Sequence, residues 1–462
     1  MTTDVATADP AADAAAAYTR KTTRLAAQVA SAPASREPAV GLAKPTSNLF
    51  RDRAPRRAPR IDLGHFDRVI RVDAAAGLVE AEGMTTFVAL ADATLAAGAM
   101  PAVVPQLKSI TLGGAVAGVG IEATSFRHGL VHDTIVAMDI LTGDGRIVAC
   151  TPDNEHRDLF HGFPNSYGTL GYALKLTART LPVTRYVRVD HARHGDPDRF
   201  FAELAQRCAD DDIDFVDGVA FARDELVLSC GRFVDAAPWV GDYTYAGIYY
   251  RSLTAKRLDY LTTRDYLWRW DTDWFWCSRN VGAQHPLLRR LYGRRRLNSI
   301  TYQKIMRWNA RWGVTRALDR LRGVTRESVI QDVDIPLARA AEFLDFLHAE
   351  VGIVPIWICP IRAPDLAAEA TLYPLPRGTL SVNFGFWDTV ASREPRARGH
   401  VNRRIERKVA AVGGIKSLYS DSYFGEDEFW SVYGGPAYRA LKQRYDPSGR
   451  LGDLYAKCVL HR

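Results

Sequence analysis

The stretch PQLKSITLGGAVAGVGIEATSFRHGLVHD, from Pro105 to Asp133, gives the strongest indication of fold in this sequence. Its glycines are Gly113, Gly114, Gly118, Gly120 and Gly129. Backbone of this kind can approach a diphosphate closely and turn several N–H groups toward it as an anion nest. A second small-residue turn follows between Asn165 and Gly171. We therefore interpret the two segments as two walls of one dinucleotide site.

A Rossmann site is the main alternative, because residues Gly118 to Ala123 fit G-x-G-x-x-G/A and Asp139 follows at the distance of a ribose-binding acid. That fingerprint needs an apolar strand before it and a helix after it. Here LGGAVA is too small for a firm core strand, and Gly129 falls where the helix should continue. We rank this alternative below the interpretation in which the two glycine segments form two walls of one site. A glycine-rich surface loop without a ligand is ranked below it as well.

Four motifs in this chain carry a resemblance to a known family. They are PQLKSITLGGAVAGVGIEATSFRHGL, DLFHGFPNSYGTLGYALKL, VPIWICPIR and LYSDSYFGEDEFW. The first two resemble the FAD-binding domain of the vanillyl-alcohol-oxidase/p-cresol-methylhydroxylase (PCMH) superfamily, and the last two resemble its Δ24-sterol reductase branch. The likeness runs from about Leu42 to Cys458. Within the branch, the chain most resembles bacterial enzymes that reduce a methylene-branched fatty acyl chain to a methyl-branched one, such as methyl-branched stearate.

The resemblance implies an α+β fold, with a PCMH-type two-subdomain FAD-binding domain and an α+β substrate (cap) domain. We expect a disordered tail at 1–17, the FAD-binding domain at 18–184, the cap at 185–440, and a C-terminal segment at 441–462 that returns to the FAD-binding domain. Local patterns add a hairpin with strands Ile135–Leu141 and Arg146–Cys150, a strand Gly247–Tyr250, and helices Pro197–Cys208 and Leu337–Val351.

The predicted cofactor is FAD, held without a covalent bond, because the loop near Lys44 lacks a histidine and the glycine loop lacks a cysteine. NADPH is the expected reductant. The predicted cofactor contacts are Lys44, Thr46, Ser47, Asn48, Pro105, Gln106, Leu107, Thr111, Gly113, Gly114, Gly118, Gly120, Ile121, Glu122, Ser125, Gly129, Ser166, Gly168, Thr169 and Gly171.

Aromatic residues are dense in the expected cap, where Trp268, Trp270, Trp274, Phe275 and Trp276 fall within nine residues. Such a cluster is either ordinary core or the wall of a long apolar pocket for an acyl or sterol chain. A flavin exchanges hydride with a carbon positioned against it. An isolated alkene also needs a proton, and the candidate acids are Tyr245, Asp271, Asp273, Tyr419, Asp421, Tyr423 and Glu122. Each of these also has an ordinary structural interpretation.

The run from Arg289 to Arg326 holds eleven arginines and Lys304 against one acid, Asp319. Ile305, Trp308 and Trp312 can share a helical face beside a basic stripe. This pattern favours peripheral contact with an anionic membrane. A solvated helix or a partner subunit is the alternative, and we expect no nucleic acid because no reading motif accompanies the charge.

Composition bounds the remaining possibilities. The chain has 462 residues, enough for two or three domains, and six scattered cysteines without a C-x-x-C pair. We expect no metal site and no disulfide framework. No basic, apolar export signal begins the sequence, and no apolar run is long enough to span a bilayer. We predict a cytoplasmic, membrane-associating enzyme that acts on an acyl chain of a phospholipid, with a lipid methyltransferase as partner. The alternatives are a Δ24-sterol-type reductase, an FAD-dependent alcohol oxidase or dehydrogenase of the same superfamily, and a lipid-binding module without flavin.

Overall fold

The computed structural model describes residues 10–30, 41–44, 50–51, 60–364 and 372–462. Three predicted cofactor contacts, Thr46, Ser47 and Asn48, lie outside these ranges. Within them, none of the helices combines the length and apolarity that crossing a bilayer requires. All six cysteines are buried and unpaired.

The first helix, α1 (Pro10–Ala30), begins inside the predicted tail at 1–17, so residues 10–17 are helical rather than part of a disordered tail. Alanine is the strongest helix former, and the Ala-rich stretch extends the helix toward its N-terminus. Buried Tyr18 and Leu25 fix it on the first domain. The Tyr18 hydroxyl also donates to Asp139, at 2.7 Å.

The first domain contains two sheets. A two-stranded parallel sheet and a six-stranded antiparallel sheet, in the order β3-β4-β8-β6-β7 with β5 beside β8, make up its β-structure among the described residues. The strands are β1 (Gly41–Ala43), β2 (Arg60–Asp62), β3 (Val69–Asp73), β4 (Leu78–Glu82), β5 (Ala99–Pro101), β6 (Ile135–Leu141), β7 (Ile147–Cys150) and β8 (Tyr172–Pro182). The predicted hairpin is present as β6 and β7. Antiparallel pairing is not the βαβ arrangement of a Rossmann site.

The cap contains one eight-stranded antiparallel sheet in the order β12-β9-β11-β10-β14-β15-β13-β16. Its strands are β9 (Tyr186–His194), β10 (Phe215–Ala222), β11 (Glu225–Val234), β12 (Leu258–Thr262), β13 (Thr325–Pro336), β14 (Ile356–Arg362), β15 (Leu380–Ser392) and β16 (Ile415–Lys416). The predicted boundary at 184 falls between β8 and β9, which belong to different sheets. The α+β fold class is therefore as predicted.

Sixteen α-helices connect and cover these sheets in the described residues. The others are α2 (Phe87–Ala96), α3 (Leu112–Gly118), α4 (Ser125–His128), α5 (Arg157–Gly162), α6 (Pro197–Cys208), α7 (Tyr249–Ser252), α8 (Thr263–Leu267), α9 (Pro286–Tyr292), α10 (Ser299–Trp312), α11 (Val314–Leu321), α12 (Ala340–Phe346), α13 (His400–Ala411), α14 (Glu426–Val432), α15 (Gly435–Tyr445) and α16 (Leu454–Cys458). Helix α6 matches its prediction, and Leu337–Val351 is helical as a 3-10 turn, α12 and a π turn. The predicted strand Gly247–Tyr250 is wrong, because Tyr249 begins helix α7 and an apolar run is ambiguous between the two states.

The two faces of the cap sheet bury different cores, as alternation along a strand requires. Val216 and Ala220 of β10 pack under α6, α12 and α13. Phe215 and Val219 of the same strand face a core that is continuous with the first domain. The helices of the cap thus leave one face of its sheet to the first domain.

The C-terminal helices return to the first domain. Helix α15 packs against α5, and its Lys442 donates to the Thr169 carbonyl at 2.8 Å. The predicted boundary between 440 and 441 falls inside α15. The helix continues across this boundary because its buried side chains, Tyr438, Leu441 and Tyr445, lie on one apolar face that spans residues 440 and 441.

Candidate functional site

A cavity of about 630 Å³ lies between the first domain and the cap sheet. This volume is within the usual range of small-molecule sites. Helix α3 and the turn from Tyr167 to Gly171 line it from the first domain, and Trp357 and Trp387 line it from β14 and β15. The cavity is therefore built by both domains.

One wall is the glycine-rich backbone that the sequence indicated. Tyr167 joins its two segments, because the Tyr167 N–H donates to the Ala117 carbonyl at 2.8 Å and its hydroxyl donates to the Gly118 carbonyl at 2.7 Å. A Cβ on Gly120 would lie 2.6 Å from the Val131 side chain. The wall glycines are Gly113, Gly114, Gly118, Gly120, Gly168 and Gly171. The structure thus brings the two predicted segments together at one cavity.

Backbone strain is concentrated at this cavity. Five of the six non-glycine residues with positive φ in the described ranges line it: Val119 (68°), Tyr167 (49°), Trp274 (44°), Phe275 (57°) and His461 (61°). Such a conformation costs on the order of 1–3 kcal/mol per residue and persists only where the surroundings impose it. Strain of this kind clusters at functional sites, which marks the cavity as the candidate site.

The opposite wall is aromatic. The Phe275 ring stacks on Trp387, with centroids 4.3 Å apart, and meets Trp357 edge-on at 5.5 Å. The Trp274 ring lies 5.4 Å from the ring of Phe50. Trp268, Trp270 and Trp276 do not line the cavity and are buried in the core. The aromatic cluster therefore divides between the cavity wall and the core.

Cationic and amide donors complete the cavity. Arg51 stacks on Tyr167 with its guanidinium carbon 4.6 Å from the ring centroid. Arg51 Nη2 and Gln106 Nε2 are buried donors without an acceptor in the described structure. Buried donors normally have acceptors, and phosphate oxygens would supply them. Other cationic lining residues are Lys44, Arg60, Lys457 and Arg462. This donor set, beside the glycine wall, fits a flavin dinucleotide: the basic residues and glycines would hold the diphosphate, and the aromatic wall would flank the ring.

A buried ion cluster supports the aromatic wall from behind. Arg269 Nη2 donates to Glu122 Oε1 at 2.8 Å and to Asp217 Oδ2 at 2.7 Å. The same Asp217 oxygen accepts from the Trp357 indole nitrogen at 3.3 Å. Burial, opposed by Arg269, raises the pKa of Glu122 to about 7. The cluster therefore fixes the orientation of Trp357.

Most predicted cofactor contacts line the cavity. Those that do are Lys44, Pro105, Gln106, Leu107, Thr111, Gly113, Gly114, Gly118, Gly120, Ile121, Gly168 and Gly171. Those outside the lining are Glu122, Ser125, Gly129, Ser166 and Thr169. Their side chains or backbone hold the turns instead: Ser125 Oγ accepts from the Glu122 N–H, and Thr169 Oγ1 donates to the Ser166 carbonyl.

The predicted catalytic residues mostly lie elsewhere. Glu122 is in the buried ion cluster. Asp271 accepts from Ser299 Oγ at 2.6 Å and from the Lys108 N–H at 3.1 Å, which anchors α10 to the first domain. Tyr245 is half-buried, with its ring 5.7 Å from the Arg294 guanidinium carbon. None of the three lines the cavity.

The three C-terminal candidate acids differ in their position relative to the cavity. Tyr423 packs on Arg403 and lies outside the lining, while Asp421 lies 3.5 Å from Nδ1 of His461, which is a lining residue. Tyr419 lines the cavity directly, and its hydroxyl accepts from the Trp387 indole nitrogen at 3.0 Å. Of the candidate acids named from the sequence, Tyr419 is the one in the lining.

Asp332 is the principal lining residue that sequence reasoning missed. It lies on β13, its carboxyl group is hydrogen-bonded to Tyr419, and its Oδ1 has no protein donor. Burial raises the pKa of Asp332 to about 8. An acid in the apolar strand ESVIQDVDIP was a possible signal, because a charged residue in a buried strand needs a specific reason. Trp357, Trp387 and Phe50 were also missed, since they reach the cavity only through the tertiary fold.

The α+β fold is that of a PCMH-type FAD-binding domain with a cap, and comparison with known proteins supports an FAD-dependent oxidoreductase. Residues 14–151 match the family described as "FAD binding domain". This match covers most of the first domain and the first glycine segment, and it ends before the second segment, which carries Gly168 and Gly171.

Relatives extend the likeness across the cap. The chain is 25% identical over 404 residues to Delta(24)-sterol reductase of Homo sapiens, covering 84% of this chain and 75% of that protein. It is 25% identical over 433 residues to Delta(24)-sterol reductase of Arabidopsis thaliana, covering 86% and 76%. Cytokinin dehydrogenase 7 of Oryza sativa subsp. japonica is 28% identical over 155 residues, covering 32% of this chain and 29% of that protein. The chain thus resembles the Δ24-sterol reductase branch over most of its length.

Proposed function

We propose that this protein reduces an isolated carbon–carbon double bond in a lipid, with NADPH as the source of hydride. The observation that carries the proposal is the single cavity in which a glycine-rich, cationic wall faces an aromatic wall. When bound, FAD supplies hydride transfer. The names of the human and Arabidopsis relatives describe sterol reductases, which supports reduction as the direction of the reaction.

The aromatic wall suits this chemistry. An alkene that is not conjugated to a carbonyl accepts hydride only as a proton is added, so positive charge develops on its more substituted carbon. Aromatic faces stabilise such charge by about 0.5–2 kcal/mol each. Phe275, Trp357 and Trp387 therefore have two roles, to exclude water and to face the developing cation.

The preferred substrate is a methylene-branched fatty acyl chain on a phospholipid, and the product is the methyl-branched chain. The Ala- and Arg-rich composition is typical of GC-rich bacterial coding, and such bacteria seldom make sterols. A Δ24-type sterol is the second candidate, favoured by the similarity to sterol reductases.

The test is an anaerobic half-reaction experiment. The purified yellow protein is mixed with NADPH, then with a methylene-branched phospholipid, a Δ24-sterol or an alcohol, and the flavin absorbance is followed. We expect bleaching by NADPH and recovery of the colour with the phospholipid. Recovery with the sterol alone would favour the second candidate. Bleaching by the alcohol but not by NADPH would contradict the proposal and indicate an alcohol oxidase.

The proposal includes peripheral membrane contact through helices α9–α11. Ten of the fourteen exposed large apolar side chains among the described residues lie between 287 and 321. They include Leu291 (76% exposed), Trp312 (67%) and Leu321 (85%). Patches of this kind mark interaction sites, and interfacial tryptophans with leucines suit a bilayer surface.

Basic residues surround these apolar side chains. Arg290, Arg295, Lys304, Arg307 and Arg311 are exposed, and each basic residue near an anionic surface contributes about 1 kcal/mol. Arg289 is an exception to the predicted basic run, because it is buried and paired with Asp273 at 2.7 Å. Tyr302 on the buried side of α10 donates to the Thr272 carbonyl at 2.7 Å, which connects this surface to the segment that carries Trp274 and Phe275.

Vesicle sedimentation tests the contact. We expect the protein to sediment with vesicles containing phosphatidylglycerol, and W308S/W312S to lose at least tenfold in binding. W239S removes an exposed tryptophan outside these helices and is the matched control. Equal loss in the control, or unchanged binding of W308S/W312S, would contradict a membrane surface at α10.

A methylene-branched chain must come from a reaction that adds a one-carbon unit to an unsaturated acyl chain, so we propose a lipid methyltransferase as functional partner in the cytoplasm. The test is lipid analysis of a bacterial host that expresses this chain with such a methyltransferase. Accumulation of unreduced methylene lipid would exclude the preferred substrate.

A further inference from the structure

We propose that the carboxyl group of Asp332 is the proton donor to the alkene. The inference rests on the proposed function and deepens it by assigning a proton donor within the cavity. Three independent features support it. The carboxyl group lies in the aromatic wall, it has no cationic partner among the described residues, and Gly385 on β15 leaves the space around it open.

The position follows from the register of the cap sheet. Asp332 pairs with Gly385 on β15, and Trp357 on β14 pairs with the same glycine. A Cβ on Gly385 would lie 2.6 Å from Asp332 Oδ1, 2.7 Å from Trp387 and 3.2 Å from Trp357. The glycine therefore leaves room at the point where the carboxyl group meets the two indoles.

The surroundings favour the neutral acid. In the described part of the chain no ion pair joins Asp332 to a lysine, arginine or histidine, and Oδ1 is a buried atom without a donor. On its own strand Asp334 adds negative charge, and the facing residues on β14 and β15 are indoles and glycine. Tyr419 is the hydrogen-bonding neighbour, and Lys457 and His461 line the cavity from the C-terminal segment. With a pKa of about 8, the carboxyl group holds its proton at neutral pH.

The step balances as follows in electrons and atoms. The π electron pair of the alkene forms a C–H bond with the Asp332 proton at the less substituted carbon, and the O–H bond breaks to leave a carboxylate. Protonation leaves the more substituted carbon electron-deficient, and a reduced flavin bound in the cavity would supply the hydride, with its electron pair, to that carbon. Solvent then returns a proton to Asp332.

The experiment compares Asp332→Asn with Asp334→Asn. Asp334 is a buried acid on the same strand, bonded to Asn383 and Tyr373 at 2.7 Å each, and it does not line the cavity. We expect Asp332→Asn to bind FAD and to be bleached by NADPH like the wild type. Its reoxidation by the alkene should slow at least about a hundredfold, the usual contribution of a general acid. Asp334→Asn should stay within about threefold.

Two measurements do not depend on turnover of the variant. In infrared spectra of the cofactor-free protein, the difference between the wild type and Asp332→Asn should contain a protonated-carboxyl band that disappears between pH 7 and pH 9, whereas the band of Glu122 is common to both proteins and cancels. In the wild type, reoxidation by the alkene should fall as pH rises above about 8, because the acid must be protonated. A difference spectrum without this band, or normal reoxidation of Asp332→Asn, overturns the inference. Failure of every alkene with the wild type overturns the proposed function instead.

Discussion

Arg269 links the two domains at the level of a single side chain. It is fully buried, and it bonds Glu122 of the first domain, Asp217 of the cap and the Tyr266 carbonyl. Its guanidinium carbon lies 4.1 Å from the Tyr266 ring centroid. Two buried carboxylates without this cation would be left uncompensated, so Arg269 is central to how the cap is held against the glycine wall.

Arg269→Met should therefore lower the free energy of unfolding by about 3–5 kcal/mol at pH 8, the cost of removing one partner from a buried ion cluster. The loss should shrink at lower pH, where the Glu122 carboxyl group, whose pKa burial raises to about 7, is protonated. Urea unfolding followed by tryptophan fluorescence measures it. The control is Arg264→Met, which removes an exposed pair with Asp92 and should cost about 0–1 kcal/mol. Equal losses in the two variants would contradict this role.

Asp332 should make stability pH-dependent in a defined direction. Its pKa is about 8 in the folded protein and near 3.8 when unfolded, so the folded state binds the extra proton between these values. The contribution of Asp332 to the free energy of unfolding therefore falls as pH rises from about 4 to about 8, by at most about 1.4 kcal/mol per pH unit. Denaturant titrations of the cofactor-free protein and Asp332→Asn across this range should diverge, with the variant gaining relative stability as pH rises. Parallel curves would mean that the carboxyl group is ionised in the folded state.

Sequence reasoning located residues whose role depends on local backbone, and it missed those whose role depends on distant contacts. Gly113, Gly118 and Gly171 were found because glycine is the residue that permits close backbone approach. Asp332 was not, because its chemistry comes from Gly385 on a neighbouring strand and from Tyr419 beyond it. Glu122 was placed in the right loop, but its partner Arg269 is far along the chain.

Among the elements, α10 shows how one helix can serve two surfaces. Its N-terminus is held by Asn298, whose side-chain oxygen accepts from the Thr301 N–H at 3.0 Å. Its buried Ser299 and Tyr302 reach the segment behind the aromatic wall. Its exposed Trp308 and Trp312 belong to the proposed membrane surface.

Asn298→Ala should lower the free energy of unfolding by about 1 kcal/mol, because the cap satisfies an otherwise unpaired N–H of the first turn. Asn298→Asp keeps an oxygen acceptor and should lose little. Thermal or urea unfolding of the two variants compares them directly. If alanine and aspartate behave alike, the cap does not hold α10 and its link to the aromatic segment comes from packing alone.

Element type was predictable where the pattern was long, and unreliable where it was short and apolar. The β6–β7 hairpin and α6 carry turn and cap signals in their own sequence. Helix α3 has no such period, since five of its seven residues are glycine or alanine. It follows a cap at Thr111, and its helical state follows from packing on β8. The strand predicted at residues 247–250 was wrong because a short apolar run is ambiguous between strand and helix.

At the scale of the whole molecule, the candidate site lies at the interface between the first domain and the cap, and neither domain forms it alone. The first domain supplies glycines and basic groups, and the cap supplies the indoles and Asp332. The C-terminal segment closes the arrangement, with Lys457 donating to the Tyr167 carbonyl at 2.5 Å. Motifs along the chain indicated both domains, but the composition of the shared cavity could be known only once the sheets were placed face to face.

FAD binding in this cavity is tested by the visible spectrum of the purified protein, followed by titration of the cofactor-free protein with FAD. We expect a flavin spectrum at one FAD per chain, released intact on denaturation. Saturating FAD at about a hundred times its dissociation constant should add about 2.7 kcal/mol to the unfolding free energy. A colourless protein that gains neither flavin absorbance nor thermal stability after incubation with FAD would contradict the account.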